Sequence, residues 1–257
     1  MHVIQINLAG KETKYNAPNN WDSLSKKQLL QWCSILRMEL TKKEALTMAV
    51  YLFYKVPISI FGQCTPAQDA QLRLTLEYLT KNALTKNILG YIRILFKKYH
   101  GPANRLSNLT ISEYRRTELY YDLYLKTGKK HFLNLLAATL FRPAGGDSGN
   151  DVRCPLTEKG VSRRSNFFRW ALHPNALMAI KLFYEGCREY IFEMHPAIYK
   201  RGSGASSKKN AIVDLEDHIL AFSGDKLGNF NETQETNLYV FLKHMSQRIE
   251  EYEKRKK

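Results

Sequence analysis

The clearest alternation of apolar and polar positions lies in residues 106–143. Thr110 stands before a run of apolar residues at helical spacing, and Glu113 completes a capping box in which hydroxyl and carboxylate each accept a free backbone amide. Gly128 can take the left-handed conformation that ends a helix, and a second apolar run then continues until Pro143. This stretch therefore predicts two helices joined by a tight turn.

Similar signals predict helices through most of the chain. Capping boxes at residues 41–44 and 65–68 each precede apolar residues at helical spacing, and Pro174 opens the longest such run. Apolar residues on either side of Gly10 predict a short β-hairpin over residues 3–16. The other predicted helices cover residues 23–40, 88–100, 212–222 and 232–254.

Together these elements predict a mainly α fold, a multi-helix bundle with a small N-terminal β-hairpin. Composition divides the chain into segments. They are the hairpin with a helical region (1–143), a long loop rich in Gly, Ser and Asp (144–166), a central long helix (167–200), a flexible basic linker (201–210) and a C-terminal helical hairpin or docking tail (211–257). The long loop is a candidate contact surface, because loops of more than about 12 residues commonly carry function.

Charge narrows the class of partner. The chain has 39 Lys and Arg residues against 24 Asp and Glu, so its formal charge is +15, which favours polyanions. No acidic residue stands between Tyr78 and Ser112, and the apolar stripe in this run predicts an amphipathic helix with its charges in solvent. A phosphate-binding face, a face for an acidic protein and an ordinary solvated face all remain open. The candidate residues here are Lys81, Lys86, Arg93, Lys97, Lys98 and Arg105.

A second candidate surface interleaves arginines with aromatic residues over residues 162–170. Guanidinium groups in such a segment can meet phosphates while the rings stack on bases or pack on a partner. The alternative is that the rings begin a buried helix and the arginines merely flank it. The candidate residues are Arg163, Arg164, Phe167 and Arg169.

Residue types that support catalysis or metal binding do not cluster in the sequence. The four cysteines and seven histidines are far apart and lack metal-ligand spacing, and neither phosphate-binding glycine motif is present. Gly-Asp-Ser-Gly at residues 146–149 copies the nucleophile sequence of trypsin-like serine proteases over four positions only, so a flexible loop is the favoured interpretation. We therefore predict a non-enzymatic protein with no catalytic residue, metal or cofactor.

The first 15 residues contain no long apolar core behind a basic start, and no apolar run approaches the roughly 18 to 20 residues of a membrane span. The expectation is reduced cysteines, a cytosolic setting and no membrane partner.

Six blocks of residues resemble a family of helical proteins encoded among the virion and tail genes of tailed bacteriophages and prophages. The resemblance implies a structural or assembly role through binding of other phage proteins, in the host cytoplasm during assembly or in the virion. It identifies no active-site residue. A basic nucleic-acid-binding protein is the alternative. The blocks are NWDSLSKKQL at 20–29, LSNLT with the Tyr-rich helix at 106–128, LFRP at 140–143, FYEGCR at 183–188, LGNF at 227–230 and TNLY at 236–239.

Overall fold

The computed structural model describes residues 2–8, 11–145, 151–199 and 229–255. Within these ranges the predicted fold class is confirmed, because the chain is mainly helical with an N-terminal antiparallel hairpin. The chain forms two compact units. Unit 1 comprises Met1–Leu89 and His173–Gly186, and unit 2 comprises Gly90–Leu172 and Cys187–Lys257.

Three predicted segments fall wholly outside the described residues. They are the Gly-Asp-Ser-Gly segment, the basic linker at 201–210 and the helix at 212–222.

Unit 1 joins the N-terminal hairpin to a group of helices. Strands β1 (His2–Leu8) and β2 (Lys11–Ala17) pair antiparallel, with His2 opposite Ala17. Helix α2 contacts β2, α1 and α4, so it lies at the centre of this group. The helices are α1 (Lys26–Leu36), α2 (Lys42–Tyr54), α3 (Ile58–Phe61), α4 (Pro66–Thr75) and the first part of α8 (Pro174–Met194).

The helix starts of unit 1 follow the predicted chemistry. The Thr41 hydroxyl accepts the amide of Glu44, whose carboxylate accepts the amide of Thr41, and Thr65 with Gln68 forms the same reciprocal pair. Both predicted capping boxes are confirmed. Cys33 lies fully inside the core, where burial raises the pKa of its thiol to about 12.

A buried tryptophan holds residues 78–86 of unit 1 in place. The indole Nε1 of Trp21 donates to the carbonyls of Tyr78 at 3.1 Å and Lys81 at 2.8 Å. The carboxylate of the next residue, Asp22, accepts the backbone amide of Lys86 at 3.1 Å. The block at residues 20–29 therefore fixes the path of the chain between residues 78 and 86.

Helix α8 passes very close to this segment at Gly186. A Cβ atom at Gly186 would lie 2.2 Å from the carbonyl oxygen of Leu84 and 2.6 Å from its amide nitrogen. Nearby, the side-chain amide of Asn82 donates to the carbonyl of Leu182 at 2.8 Å. Only glycine fits at position 186 without a backbone shift.

Unit 2 contains a second hairpin where the sequence predicts a helix over residues 88–100. Strands β3 (Tyr91–Ile94) and β4 (Lys97–His100) pair antiparallel around a two-residue turn. Exposed and buried positions alternate along β3, so Ile92 and Ile94 face inward. The helix prediction is wrong, because the apolar residues at 95 and 96 that completed its helical spacing form the turn instead.

The helices of unit 2 pack as a series in which α6 lies against both α5 and α7. Helix α5 ends at Gly128, which has a positive φ of 66° as predicted. Helix α7 begins at Glu158, so the prediction of a loop extending to residue 166 is wrong in its last part. The helices are α5 (Ile111–Thr127), α6 (Lys130–Leu140), α7 (Glu158–Ala171), the rest of α8, α9 (Phe230–Glu235) and α10 (Leu238–Arg255).

The described C-terminal helices dock on the start of α5. The helix is interrupted at Thr236, between α9 and α10, whereas the sequence predicts one continuous helix. At this break Ile111 donates its amide to Thr236, and Leu238 donates its amide to Leu109, at 3.1 Å and 2.9 Å. Two of the resembling blocks, at 106–110 and 236–239, therefore pair with each other. The N-cap of α9 is Asn229, whose side chain accepts the amide of Glu232.

Candidate binding surface

The turn between β3 and β4 displays two apolar side chains. Leu95 is 76% exposed and Phe96 is fully exposed. Of the two turn residues only Leu95 has a positive φ, 53°, in a position where glycine is the usual residue. A branched side chain is strained there, and both side chains contact water. We call Leu95 and Phe96 the hairpin tip.

The outer face of this hairpin combines cations with rings. Arg93 lies opposite Lys98 in the strand pairing, and Tyr91 lies opposite His100. The rings of Tyr91 and His100 are 6.2 Å apart, and Lys98 Nζ is 5.2 Å from the centre of the Tyr91 ring. The segment from Gly90 to His100 has no acidic residue. We call these four residues the outer face.

The inner face of the hairpin contacts helix α7. The Tyr99 ring meets Phe168 edge-on at 5.1 Å and lies 6.3 Å from Phe167. Burial raises the pKa of Tyr99, and the charges of Arg164 and Arg163 act in the opposite direction. The two cationic segments that the sequence singled out are thus neighbours within unit 2.

The predicted candidate residues do not all join this region. Arg105 is also in unit 2 but stacks over the Tyr190 ring at 4.8 Å, and Lys81 and Lys86 belong to unit 1. Arg164 is partly buried, and its Nε donates to the carbonyl of Ala138 at 3.0 Å, so it serves packing in part. The candidates on the hairpin and α7 are Arg93, Lys97, Lys98, Arg163, Arg164, Phe167 and Arg169, of which Arg164 and Phe167 are half-buried.

A groove of about 740 Å³ forms a separate feature of unit 2. Leu119, Leu135 and Val161 contribute apolar lining, and the walls carry charges of both signs. Arg116 and Glu158, both in the lining, form an ion pair at 3.1 Å. The groove therefore differs from the second hairpin, in which every charged side chain is basic.

Sequence reasoning missed a buried ion cluster made by Glu113, Arg142, Asp151 and Arg153. Arg153 Nη2 lies 3.1 Å from Glu113 Oε2 and 2.6 Å from Asp151 Oδ2. Arg142 pairs with the other oxygen of Glu113 and lies 3.7 Å from Asp151. Both arginines are almost completely buried. Two positive and two negative charges thus balance inside unit 2.

Glu113 has a different role from the predicted one. The Thr110 hydroxyl does accept the Glu113 amide at 3.3 Å and caps α5. The carboxylate, however, enters the ion cluster and does not complete a capping box. The signal that could have revealed this is Arg142, a lone cation in an otherwise apolar run before Pro143.

The pKa values of two residues in the ion cluster differ from their ordinary values. Burial lowers the pKa of Arg142, while the charge of Glu113 opposes that change. Burial raises the pKa of Asp151, but hydrogen bonds from Arg153 and the charges of both arginines outweigh it, so the pKa lies below the ordinary value. Asp151 is therefore held as a carboxylate by its arginine partners.

No protein-family model, curated protein or solved structure matches this chain. The resemblance to phage proteins accordingly rests on the residue blocks alone.

One serine and one histidine of unit 2 lie within hydrogen-bonding distance of each other. His195 Nδ1 lies 3.2 Å from Ser246 Oγ, but that hydroxyl donates its only proton to the carbonyl of Leu242 at 2.9 Å. A nucleophilic serine donates to its histidine, so this pair lacks the required arrangement.

Among the described residues there is also no group of three His, Cys, Asp or Glu that could hold a metal ion. None of the described helices is long and apolar enough to cross a membrane.

Proposed function

We propose that this chain is a non-enzymatic structural or assembly protein of a tailed phage or prophage, and that it binds another particle protein through the hairpin tip. The residue blocks support the phage setting. The observation that carries the binding role is the exposure of Leu95 and Phe96 in a turn whose backbone favours glycine.

The hairpin tip combines two unfavourable features, a positive φ at a non-glycine residue and two exposed apolar side chains. A non-glycine residue in the left-handed region costs roughly 1 to 3 kcal/mol, and an exposed Leu and Phe gain nothing from burial in the free protein. Such conflicts between sequence and local structure are typical of functional sites. Burial in an apolar pocket of a partner would recover about 1.5 to 3 kcal/mol for each side chain.

Charge around the tip defines the kind of pocket. Lys97 follows Phe96 directly, and Arg93 and Lys98 lie one residue further from the turn on each strand. A partner with an apolar pocket and an acidic rim would complement both features. Protein interfaces commonly use this combination of a central apolar anchor and a polar rim.

The test is a variant that removes the tip but improves the turn. Leu95→Gly with Phe96→Ser places glycine at the positive φ, so we expect the hairpin to keep its stability or gain some. Tagged wild-type and variant proteins are used to capture partners from phage-producing cells after nuclease treatment and at moderate salt. We expect the wild type to recover identified tail or capsid proteins and the variant to lose them.

A matched control removes one aliphatic and one aromatic side chain elsewhere in unit 2. Leu125→Ser with Tyr252→Ser does this at two exposed helical positions and should leave capture unchanged. Equal capture by the tip variant and the wild type would contradict the role of the tip. Recovery of no particle protein by the wild type would contradict the assembly role itself.

A further inference from the structure

The outer face of the second hairpin has chemistry that the tip does not use. From the juxtaposition of Arg93, Lys98, Tyr91 and His100 on one exposed strand pair, we infer that it forms a binding site for single-stranded nucleic acid. This inference uses residues other than the tip and is independent of the proposed protein partner.

The outer face concentrates positive charge at one point of the strand pair. Arg93 and Lys98 lie directly opposite each other, an arrangement of like charges that is unfavourable in a strand pair. Neither residue belongs to an ion pair in the part of the chain that the structure describes. Arg163 and Arg164 on the neighbouring helix α7, whose charges act on Tyr99 of the same hairpin, carry charge of the same sign. Phosphates, which recur along a nucleic-acid strand, would supply a counter-charge to both cations.

Two rings lie beside this pair of cations. Tyr91 and His100 lie two residues from the cation pair on each strand and therefore on the same face, about 7 Å away along the strands. Tyr91 is 39% exposed, so part of its ring is accessible to a base. Cations beside accessible rings are the combination that binds unpaired strands, where a base can stack while its phosphate meets a guanidinium.

The rings favour a single strand over a duplex. Bases in a duplex are stacked on one another, and their faces cannot reach Tyr91. A duplex would engage only the cations, without a contribution from stacking. Substitution of the ring therefore separates the two kinds of nucleic acid.

The experiment measures binding of a labelled oligothymidine of about 20 nucleotides by fluorescence anisotropy at several salt concentrations. The full chain is used as wild type, as Arg93→Gln with Lys98→Gln, and as Tyr91→Leu. We expect the charge variant to bind at least about tenfold more weakly and the slope of log K against log salt to fall by about 1.4, because two phosphate contacts are lost. The ring variant should bind about 5- to 150-fold more weakly with its salt slope unchanged.

Lys129→Gln with Lys130→Gln is the matched control, since it removes the same charge from exposed positions of unit 2 that do not belong to the hairpin. It should retain the wild-type salt slope. The tip variant should also retain it, which separates this site from the proposed protein contact. Circular dichroism of each variant confirms that the fold is kept.

Several results would overturn the inference. They are no binding by the wild type at low salt, an equal loss in the charge variant and the control, no loss on Tyr91→Leu, and equal affinity for a duplex of the same length. Equal affinity for polyglutamate would likewise show a general cationic surface and overturn a nucleic-acid site.

Discussion

Removal of the charge on Glu113 is the sharpest test of the buried ion cluster. In the wild type, two arginines face two carboxylates inside unit 2. Glu113→Gln leaves two positive charges and one negative charge, with nearly unchanged side-chain volume. One guanidinium group is then buried without a full counter-charge. Neither guanidinium group can move into water, because Arg142 and Arg153 are almost completely buried.

The expected loss can be estimated from this geometry. Removal of one partner from a buried ion pair typically costs about 3 to 5 kcal/mol. The glutamine oxygen can still accept one hydrogen bond, but its amide cannot accept from the second arginine. For a chain of this size, a loss of about 3 to 5 kcal/mol corresponds to a fall in melting temperature of about 6 to 20 °C. Thermal denaturation followed by circular dichroism measures it.

Glu158→Gln is the matched control. Glu158 also pairs with an arginine, Arg116, at 3.1 Å, but its side chain is 89% exposed. Exposed pairs contribute about 0 to 1 kcal/mol, so this variant should melt within about 4 °C of the wild type. Equal shifts in the two variants would refute the reasoning.

A second variant tests the balance of charge directly. Addition of Arg142→Met to Glu113→Gln leaves one arginine facing one carboxylate, because Arg153 and Asp151 remain paired at 2.6 Å. We expect the double variant to be more stable than Glu113→Gln alone, since replacement of a complete buried pair is often neutral. A double variant that melts lower than the single one would show that packing of Arg142, not charge, dominates.

Two further predictions concern stability. Gly186→Ala should destabilise by about 1 to 3 kcal/mol in thermal melts, because its Cβ would overlap backbone atoms of Leu84, whereas Gly62→Ala, with its closest contact at 3.3 Å, should cost less than about 1 kcal/mol. The lowered pKa of Asp151 stabilises the fold above its unfolded pKa, and this contribution is lost as the pH falls below about 4 through the folded pKa. Urea midpoints should therefore fall more steeply with acid in the wild type than in Asp151→Asn, and parallel curves would contradict this assignment.

Most of the helices could be predicted because their starts depend on neighbouring residues. A Thr hydroxyl and a side chain three positions later satisfy amides of the same turn, as at residues 41–44 and 65–68, so the signal is local in sequence. The same holds for Gly128, whose positive φ ends α5. These elements need no knowledge of the rest of the fold.

The second hairpin could not be predicted for the opposite reason. Its turn lacks the glycine or asparagine that normally marks a two-residue connection, and Leu95 and Phe96 fall at helical spacing from earlier apolar residues. Strand pairing prevails because Ile92, Ile94 and Tyr99 are buried together on the inner face. The contact of Tyr99 with Phe168 of α7 favours the strands, and this long-range contact is not visible in the sequence of the hairpin.

The ion cluster was missed because Glu113 had a sufficient local explanation as a capping residue. Its actual partners are 29 and 40 residues away along the chain. A local pattern of two residues cannot tell a carboxylate that returns to its own helix from one that reaches a distant arginine. The apolar sequence around Arg142 was the available warning, since a buried arginine needs a carboxylate.

The resembling blocks and the candidate surfaces occupy different parts of the chain. The blocks place Trp21 against the 78–86 segment, pair residues 106–110 with 236–239, bring Arg142 into the ion cluster and supply Gly186. Each of these roles maintains the fold. The tip and the outer face lie in residues 91–100, outside every block. A resemblance carried by the blocks can therefore indicate shared architecture without shared partners, and the choice of partner would lie in the second hairpin, where the sequence departs from what local structure favours.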